Sequence, residues 1–247
     1  LLEKGAKVNA QSGKYGNALQ AAAAYQNETS VRLLLDRGAK VNAQGGEYGN
    51  ALLAAIINNN KAMVNLLLQN GADPNTLDGP YGNVILAAAT KGNRAIVNAL
   101  LNKGADPNAH RGQYSNILLT AIAKENKPIV NLLLGTGVNP NIQGGHYGNA
   151  LSAAIAIGNE DIVNVLLEKG ANPNAQGGHY GNPLLAVIAI GDGAIVNIVL
   201  EKGADPNTQG GQYRLVLSAT VVKGNEAIVK LLLEKGANAN AQGGHAL

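Results

Sequence analysis

Apolar positions along this chain recur in short helical stripes separated by polar, glycine-rich stretches. In residues 144–176, Ile162, Val163, Leu166 and Leu167 fall at i, i+1, i+4 and i+5, one apolar face of a helix from about Glu160 to Lys169. Glu160 and Asp161 near its start and Lys169 near its end suit the helix dipole. A preceding run, Ala150 to Ile157, predicts a shorter first helix, opened by Asn149 as N-cap and broken at Gly158-Asn159. Upstream of that cap, Gly144-Gly145-His146-Tyr147-Gly148 is too rich in glycine for a helix or a buried strand and predicts a tight, exposed turn. Gly170 supplies a left-handed stop to the second helix, and Pro173 prevents it from resuming.

This segment is one copy among several. Tyr15, Tyr48, Tyr81, Tyr114, Tyr147, Tyr180 and Tyr213 fall at intervals of 33. Asn9 through Asn240, Gly38 through Gly236, Val31 through Val229 and Leu35 through Leu233 keep the same step. Seven full units result, 12–44, 45–77, 78–110, 111–143, 144–176, 177–209 and 210–242, with partial units at 1–11 and 243–247. Helices of roughly eight to ten residues do not persist alone in water, because nucleation is costly. Each unit must therefore lean on its neighbours. Alanine-rich first helices such as Ala21 to Ala24 allow close approach, and each buried Leu or Ile contributes about 1.5–3 kcal/mol.

Taken together, these residues resemble an ankyrin repeat array. The family pattern is a 33-residue β-turn and two antiparallel helices, the second ending Leu-Leu-Leu before a Gly-Ala-Asp-Val-Asn loop. This chain matches it at Leu66 to Leu68, and at Gly71 to Asp73, Gly104 to Asp106 and Gly203 to Asp205, with Asn75, Asn108 and Asn207 completing the loops. The resemblance implies an all-α solenoid of helix pairs with β-turn-like tips, forming a single domain over residues 1–247. Where the family has Thr-Pro-Leu-His, the chain has Asn17-Ala18-Leu19-Gln20 or Asn182-Pro183-Leu184-Leu185, so a cap survives and the buried histidine is absent. The Gly-Gly-x-Tyr-Gly-Asn-Ala-Leu variety is similar to long arrays of filamentous fungi. Many of those are the sensor regions of NLR-like proteins that carry a NACHT nucleotide-binding domain, which would place the chain in innate immunity.

Composition narrows the chemistry. Apolar residues are 46% of the chain and aromatics 3%, all of them tyrosine, with no cysteine. Disulfides, thiolate nucleophiles, cysteine-type zinc sites and iron–sulfur clusters are excluded. No apolar run approaches the roughly 18 residues of a membrane span, and Leu1-Leu2-Glu3-Lys4 has no signal-peptide pattern. The expectation is a soluble, cytoplasmic protein. Its 19 basic and 16 acidic side chains are interspersed, which argues against a nucleic-acid or membrane partner.

Few residues invite a catalytic or metal reading. Gly191-Asp192-Gly193 lacks the third glycine of a dinucleotide fingerprint, Val196 standing in its place, and falls between two helices. The histidines, His110, His146, His179 and His245, lie in turns. If repeats stack at a helix-packing distance of about 10 Å, His146 and His179 are too far apart to share a zinc ion. Carboxylates form no isolated acid–base pair, so neither enzymatic activity nor a cofactor is expected. Asn27-Glu28-Thr29 fits a glycosylation acceptor of a kind that arises by chance. The tyrosine ladder reads as packing more readily than as binding, because a site for one partner needs positions that differ along the array.

Variation inside the fixed frame is the better lead. In ankyrin arrays, partners lie along the concave surface formed by turn tips and first-helix ends. Here the tips offer Gln113, His146, His179 and Gln212 beside Lys14, Glu47 and Pro80, and the helix ends offer Tyr25, Asn58, Lys91, Lys124, Ile157, Ile190 and Lys223. Ile157 and Ile190 would be adjacent and partly exposed, as anchors for a protein or peptide, or else pack between repeats. The chain begins and ends in mid-repeat, which predicts a longer parent chain. Arg214-Leu215-Val216-Leu217 replaces Gly-Asn-Ala-Leu and removes a cap from the seventh unit. The reading is a non-enzymatic interaction scaffold. The alternative is an array that only positions an NTPase or catalytic domain elsewhere in a parent chain.

Overall fold

A computed structural model of the chain describes residues 5–11, 13–77, 82–108, 116–210 and 214–240. They fall into two compact units, Leu1–Thr120 and Ala121–Leu247. The first holds the helices α1 (Ala18–Ala24), α2 (Glu28–Asp36), α3 (Ala51–Ile57), α4 (Lys61–Gln69), α5 (Val84–Thr90) and α6 (Arg94–Asn102). Helix α7 (Ile117–Ala123) spans the division. The second holds α8 (Lys127–Gly135), α9 (Ala150–Ile157), α10 (Glu160–Glu168), α11 (Pro183–Ile190), α12 (Gly193–Glu201), α13 (Val216–Val222) and α14 (Glu226–Glu234). Short first helices and nine-residue second helices alternate, as the period predicts.

Within each unit the helices form two rows. First helices pack on first helices, α1 on α3 on α5 and α9 on α11 on α13, while second helices pack on second helices, α4 on α6 and α8 on α10 on α12 on α14. A first helix therefore has neighbours on most sides, and it is apolar nearly all round: Ala51 to Ile56 are all buried, as are Pro183 to Ile188. The second helices bury a stripe, and in α10 it consists of Ile162, Val163, Leu166 and Leu167. Leu233 in α14, at the register of Leu167, is an exception and is exposed.

Two families of caps hold the helix starts. Asn17, Asn50, Asn83, Asn149 and Asn182 have extended backbones and accept the N–H three residues ahead, opening α1, α3, α5, α9 and α11. Asn159 does the same for α10, accepting from the Ile162 N–H, and Asp192 caps α12. The residue read from sequence as a helix breaker is thus also the cap of the next helix. In the seventh unit Leu215 opens α13 without any side-chain cap, as expected. A short antiparallel pair, β1 (Gln209–Gly210) with β2 (Arg214–Leu215), precedes it, so the framework is helical apart from such tip ladders.

Side chains also tie one repeat to the next. The Asn42 amide donates to the Gly71 carbonyl at 3.0 Å and accepts the Asp73 N–H at 2.8 Å, and Asn141 repeats this with Gly170 and Asn172. Gln20 stands where the family motif has histidine. It is buried, and its Nε2 donates to the Ala43 carbonyl at the end of its own repeat and to the Gly49 carbonyl of the following one. The inter-repeat bonding that the missing histidine would have supplied is recovered there by an amide.

Candidate functional site

The tips owe their geometry to glycine. A Cβ on Gly148 would lie 2.3 Å from the Gly178 nitrogen, and one on Gly178 would lie 2.1 Å from the Tyr147 carbonyl oxygen. Both glycines also have positive φ, 83° and 71°. Consecutive tips consequently meet backbone to backbone, and the His179 N–H points to the His146 carbonyl at 3.4 Å. Equivalent side chains then stand side by side, much as on neighbouring strands.

This closeness corrects the spacing expected for the histidines. The His146 and His179 rings are stacked with centroids 5.4 Å apart, because helix-packing distance sets the separation of the helices and not that of the glycine tips. The distance objection to a shared metal falls with it. Among the described residues, however, no three potential ligands are grouped. Each histidine also meets the edge of its own neighbour, Tyr147 or Tyr180.

The tyrosines behave as packing elements. Tyr147 stacks on Tyr180 at 6.5 Å, and in the first unit Tyr15 stacks on Tyr48 at 6.2 Å. Tyr15 also meets Tyr25 edge to face, with the two hydroxyls 3.1 Å apart. That hydrogen bond, with a smaller effect of burial, raises the Tyr15 pKa above the ordinary phenol value. Beside them Lys14 pairs with Glu47 at 3.1 Å, which raises the lysine pKa in turn.

Of the helix-end residues, Tyr25 follows α1 and is 71% exposed. Asn58 is half-buried and already engaged, donating to the Ala24 and Ala54 carbonyls. Lys91, Lys124 and Lys223 are exposed at the ends of α5, α7 and α13. Ile157 and Ile190 close α9 and α11, which contact each other; Ile157 is half-buried and Ile190 is 41% exposed. At both places the helix runs one residue longer than its counterparts α1 and α3, ending on the left-handed glycines Gly158 and Gly191. Gln113 and Gln212 lie outside the described residues, as do Tyr81, Tyr114, Tyr213, Pro80, His110 and His245.

Residues 1–78 and 84–177 match the family model described as ankyrin repeats (three copies), and 215–244 match the single ankyrin repeat. The chain belongs to the ankyrin repeat family. Ankyrin repeat domains generally mediate protein–protein interaction and are typically non-catalytic. Among solved structures, the ankyrin repeat domain of Bcl-3, described as a unique member of the IkappaB protein family, superposes with a TM-score of 0.79 at 22% identity. That match covers 90% of this chain and 100% of the other. The human ASB11 ankyrin repeat domain gives 0.71 at 24% identity, covering 89% and 98%. These likenesses carry the ankyrin fold. No curated protein matches the chain in sequence.

One surface feature escaped sequence reasoning. A groove of about 490 Å³ runs between α4 and α6 of the ankyrin array, lined by Lys61, Asn65, Arg94 and Asn98 among others. Its lining comes from two second helices a full repeat apart, a pairing that only the stacking creates. No helix of the described residues is long and apolar enough to cross a membrane.

Proposed function

We propose that this ankyrin array is a non-enzymatic interaction scaffold that holds a protein or peptide along its turn tips and first-helix ends, centred on the fourth to sixth repeats. The observation that carries the reading is the pair Ile157 and Ile190. They close two packed helices and leave apolar surface in solvent, Ile190 at 41% exposure, on the same turn-and-helix units that carry the stacked His146 and His179. Scaffold and side chains are preorganised by the caps and glycine contacts, which limits the entropy lost on binding. Lys124 and Lys223 would extend the same surface, and Tyr25, Asn58 and Lys91 hold the corresponding register in the first unit. The test is affinity capture of partners with the intact protein and with an Ile157→Asp, Ile190→Asp double variant of unchanged helical circular dichroism. Loss of the captured partner supports the reading, and an unchanged partner set retires both anchors.

A second reading is that the array packs on a further part of a larger, NACHT-like parent protein and serves to position its nucleotide-driven domain in the cytoplasm. A reading frame that joins an NTPase domain to these residues would support it, and a frame without one would leave the stand-alone scaffold.

A further inference from the structure

The Ala121–Leu247 unit carries a line of four residues at one register, Lys124, Ile157, Ile190 and Lys223, each at the end of a first helix and spaced by 33 in sequence. Two apolar side chains occupy the middle and a cation each end. Beside the isoleucines stand Ala156 and Ala189, whose small side chains leave room for an aliphatic group to lie across. The lysine at the end of a helix suits the dipole, yet both ammonium-bearing side chains extend into solvent.

Three of the acidic groups near this line in sequence are engaged elsewhere, while Glu160 and Glu226 open α10 and α14. Asp161 pairs with Lys127 at 2.9 Å, Asp192 caps α12 by accepting the Ala194 and Ile195 N–H groups, and Glu125 lies 3.5 Å from the Asn159 amide. Among the described residues of this unit, the lysine in an ion pair is Lys127. Lys124 and Lys223 flank the apolar centre as exposed cations outside the ion pairs formed among the described residues.

The pitch of the line fixes the pitch of its occupant. Packed helices lie about 8–10 Å apart, and an extended chain in the polyproline II conformation advances about 3.1 Å per residue with three residues per turn, so side chains three apart share a face and one repeat corresponds to three peptide residues. From this register we infer that the surface takes an extended peptide with two aliphatic residues three apart, each followed outward, three residues on, by an acidic residue. The inference rests on the reading of this face as a partner-binding surface and specifies the chemistry of that partner. Aliphatic side chains cover Ile157 and Ile190, and carboxylates meet Lys124 and Lys223.

Fluorescein-labelled peptides test it on the intact protein by anisotropy. The sequence Asp-Ser-Ser-Leu-Ser-Ser-Leu-Ser-Ser-Asp should bind at least tenfold more tightly than its lysine-flanked counterpart, and than a version with the leucines two apart. A Lys124→Glu, Lys223→Glu variant should reverse the charge preference; both side chains are exposed, and circular dichroism verifies the fold. Equal binding of acidic and basic peptides, binding indifferent to leucine spacing, or no saturable binding by any of them overturns the inference. So does tighter binding of a labelled uridine oligonucleotide than of the acidic peptide. If the peptides fail while Ile157→Asp, Ile190→Asp still abolishes partner capture, the partner-binding reading stands and this one falls. Acidic-peptide binding that survives in that double variant overturns the inference as well.

Discussion

Asn174 clasps Gly203: its Nδ2 donates to the Gly203 carbonyl at 2.8 Å, and its Oδ1 accepts the Asp205 N–H at 2.8 Å. One amide thus satisfies a carbonyl and an N–H beyond the end of α12, one repeat ahead. Asn9, Asn42, Asn75, Asn141 and Asn207 make the same two bonds at the same offsets of 29 and 31 residues. The period of asparagine is the trace of this bonding. Replacing Asn174 by Ala removes both bonds from a partly exposed site and should cost about 1–2 kcal/mol in urea unfolding. Asn174→Asp keeps the acceptor, sets a carboxylate against the Gly203 carbonyl, and should recover no more than half of the loss.

The glycine tips separate two effects of a methyl group. At Gly178 and at Gly170 the backbone φ is positive, 71° and 87°, so alanine at either site brings about 1–2 kcal/mol of conformational strain. Only at Gly178 does the new Cβ also meet backbone, 2.1 Å from the Tyr147 oxygen; at Gly170 nothing lies within 4 Å. Thermal unfolding should show Gly178→Ala as clearly the more damaging of the two. Equal losses would mean that neighbouring tips do not touch.

Strain is also stored where the helix-to-helix turn lacks glycine. Glu125 has φ of 50°, at the place where Gly158, Gly191 and Gly224 stand in later repeats. Glu125→Gly should raise stability by about 0.5–1 kcal/mol, because the relief of left-handed strain exceeds both the weak contact to Asn159 and the added freedom of the unfolded chain. A rise in the denaturant midpoint checks it.

Core truncation tests the register directly. Leu166 is fully buried in α10, and Leu166→Ala should cost about 2–5 kcal/mol by the lost transfer energy and the cavity left behind. The exposed Leu233→Ala in α14 should cost well under half as much in the same unfolding measurement.

The tyrosine pair of the first unit predicts a titration. Tyr15 is held above the usual phenol range first by its hydrogen bond to Tyr25. Removing that partner in Tyr25→Phe should lower the Tyr15 pKa, so that the phenolate forms at lower pH, read from the Tyr15 ring resonances by NMR. An unmoved midpoint would place the two hydroxyls out of contact in solution.

Much of this was legible in order of residue type. Ala150–Ile157 and Glu160–Glu168 match the apolar runs that predicted them, and Asn149 and Gly170 act as the cap and the left-handed stop. Backbone preferences act locally, so a local reading finds them. What the sequence concealed depends on residues about a repeat apart. Asn174 repeats visibly, but its acceptor lies 29 residues away, and Gln20 finds its carbonyls at Ala43 and Gly49. His146 and His179 sit nearer than helix packing implies, because their neighbours Gly148 and Gly178 let backbones touch. In the candidate site the exposed ends at Ile190 and Lys223 followed from register, while the engagement of Asn58 by two carbonyls did not.

Because every Asn clasp points the same number of residues ahead, recombination that adds or drops a whole module leaves no amide without its carbonyl. A lineage carrying this scaffold can lengthen its row of tips, or swap one tip's side chain for another, while the joinery stays as it was.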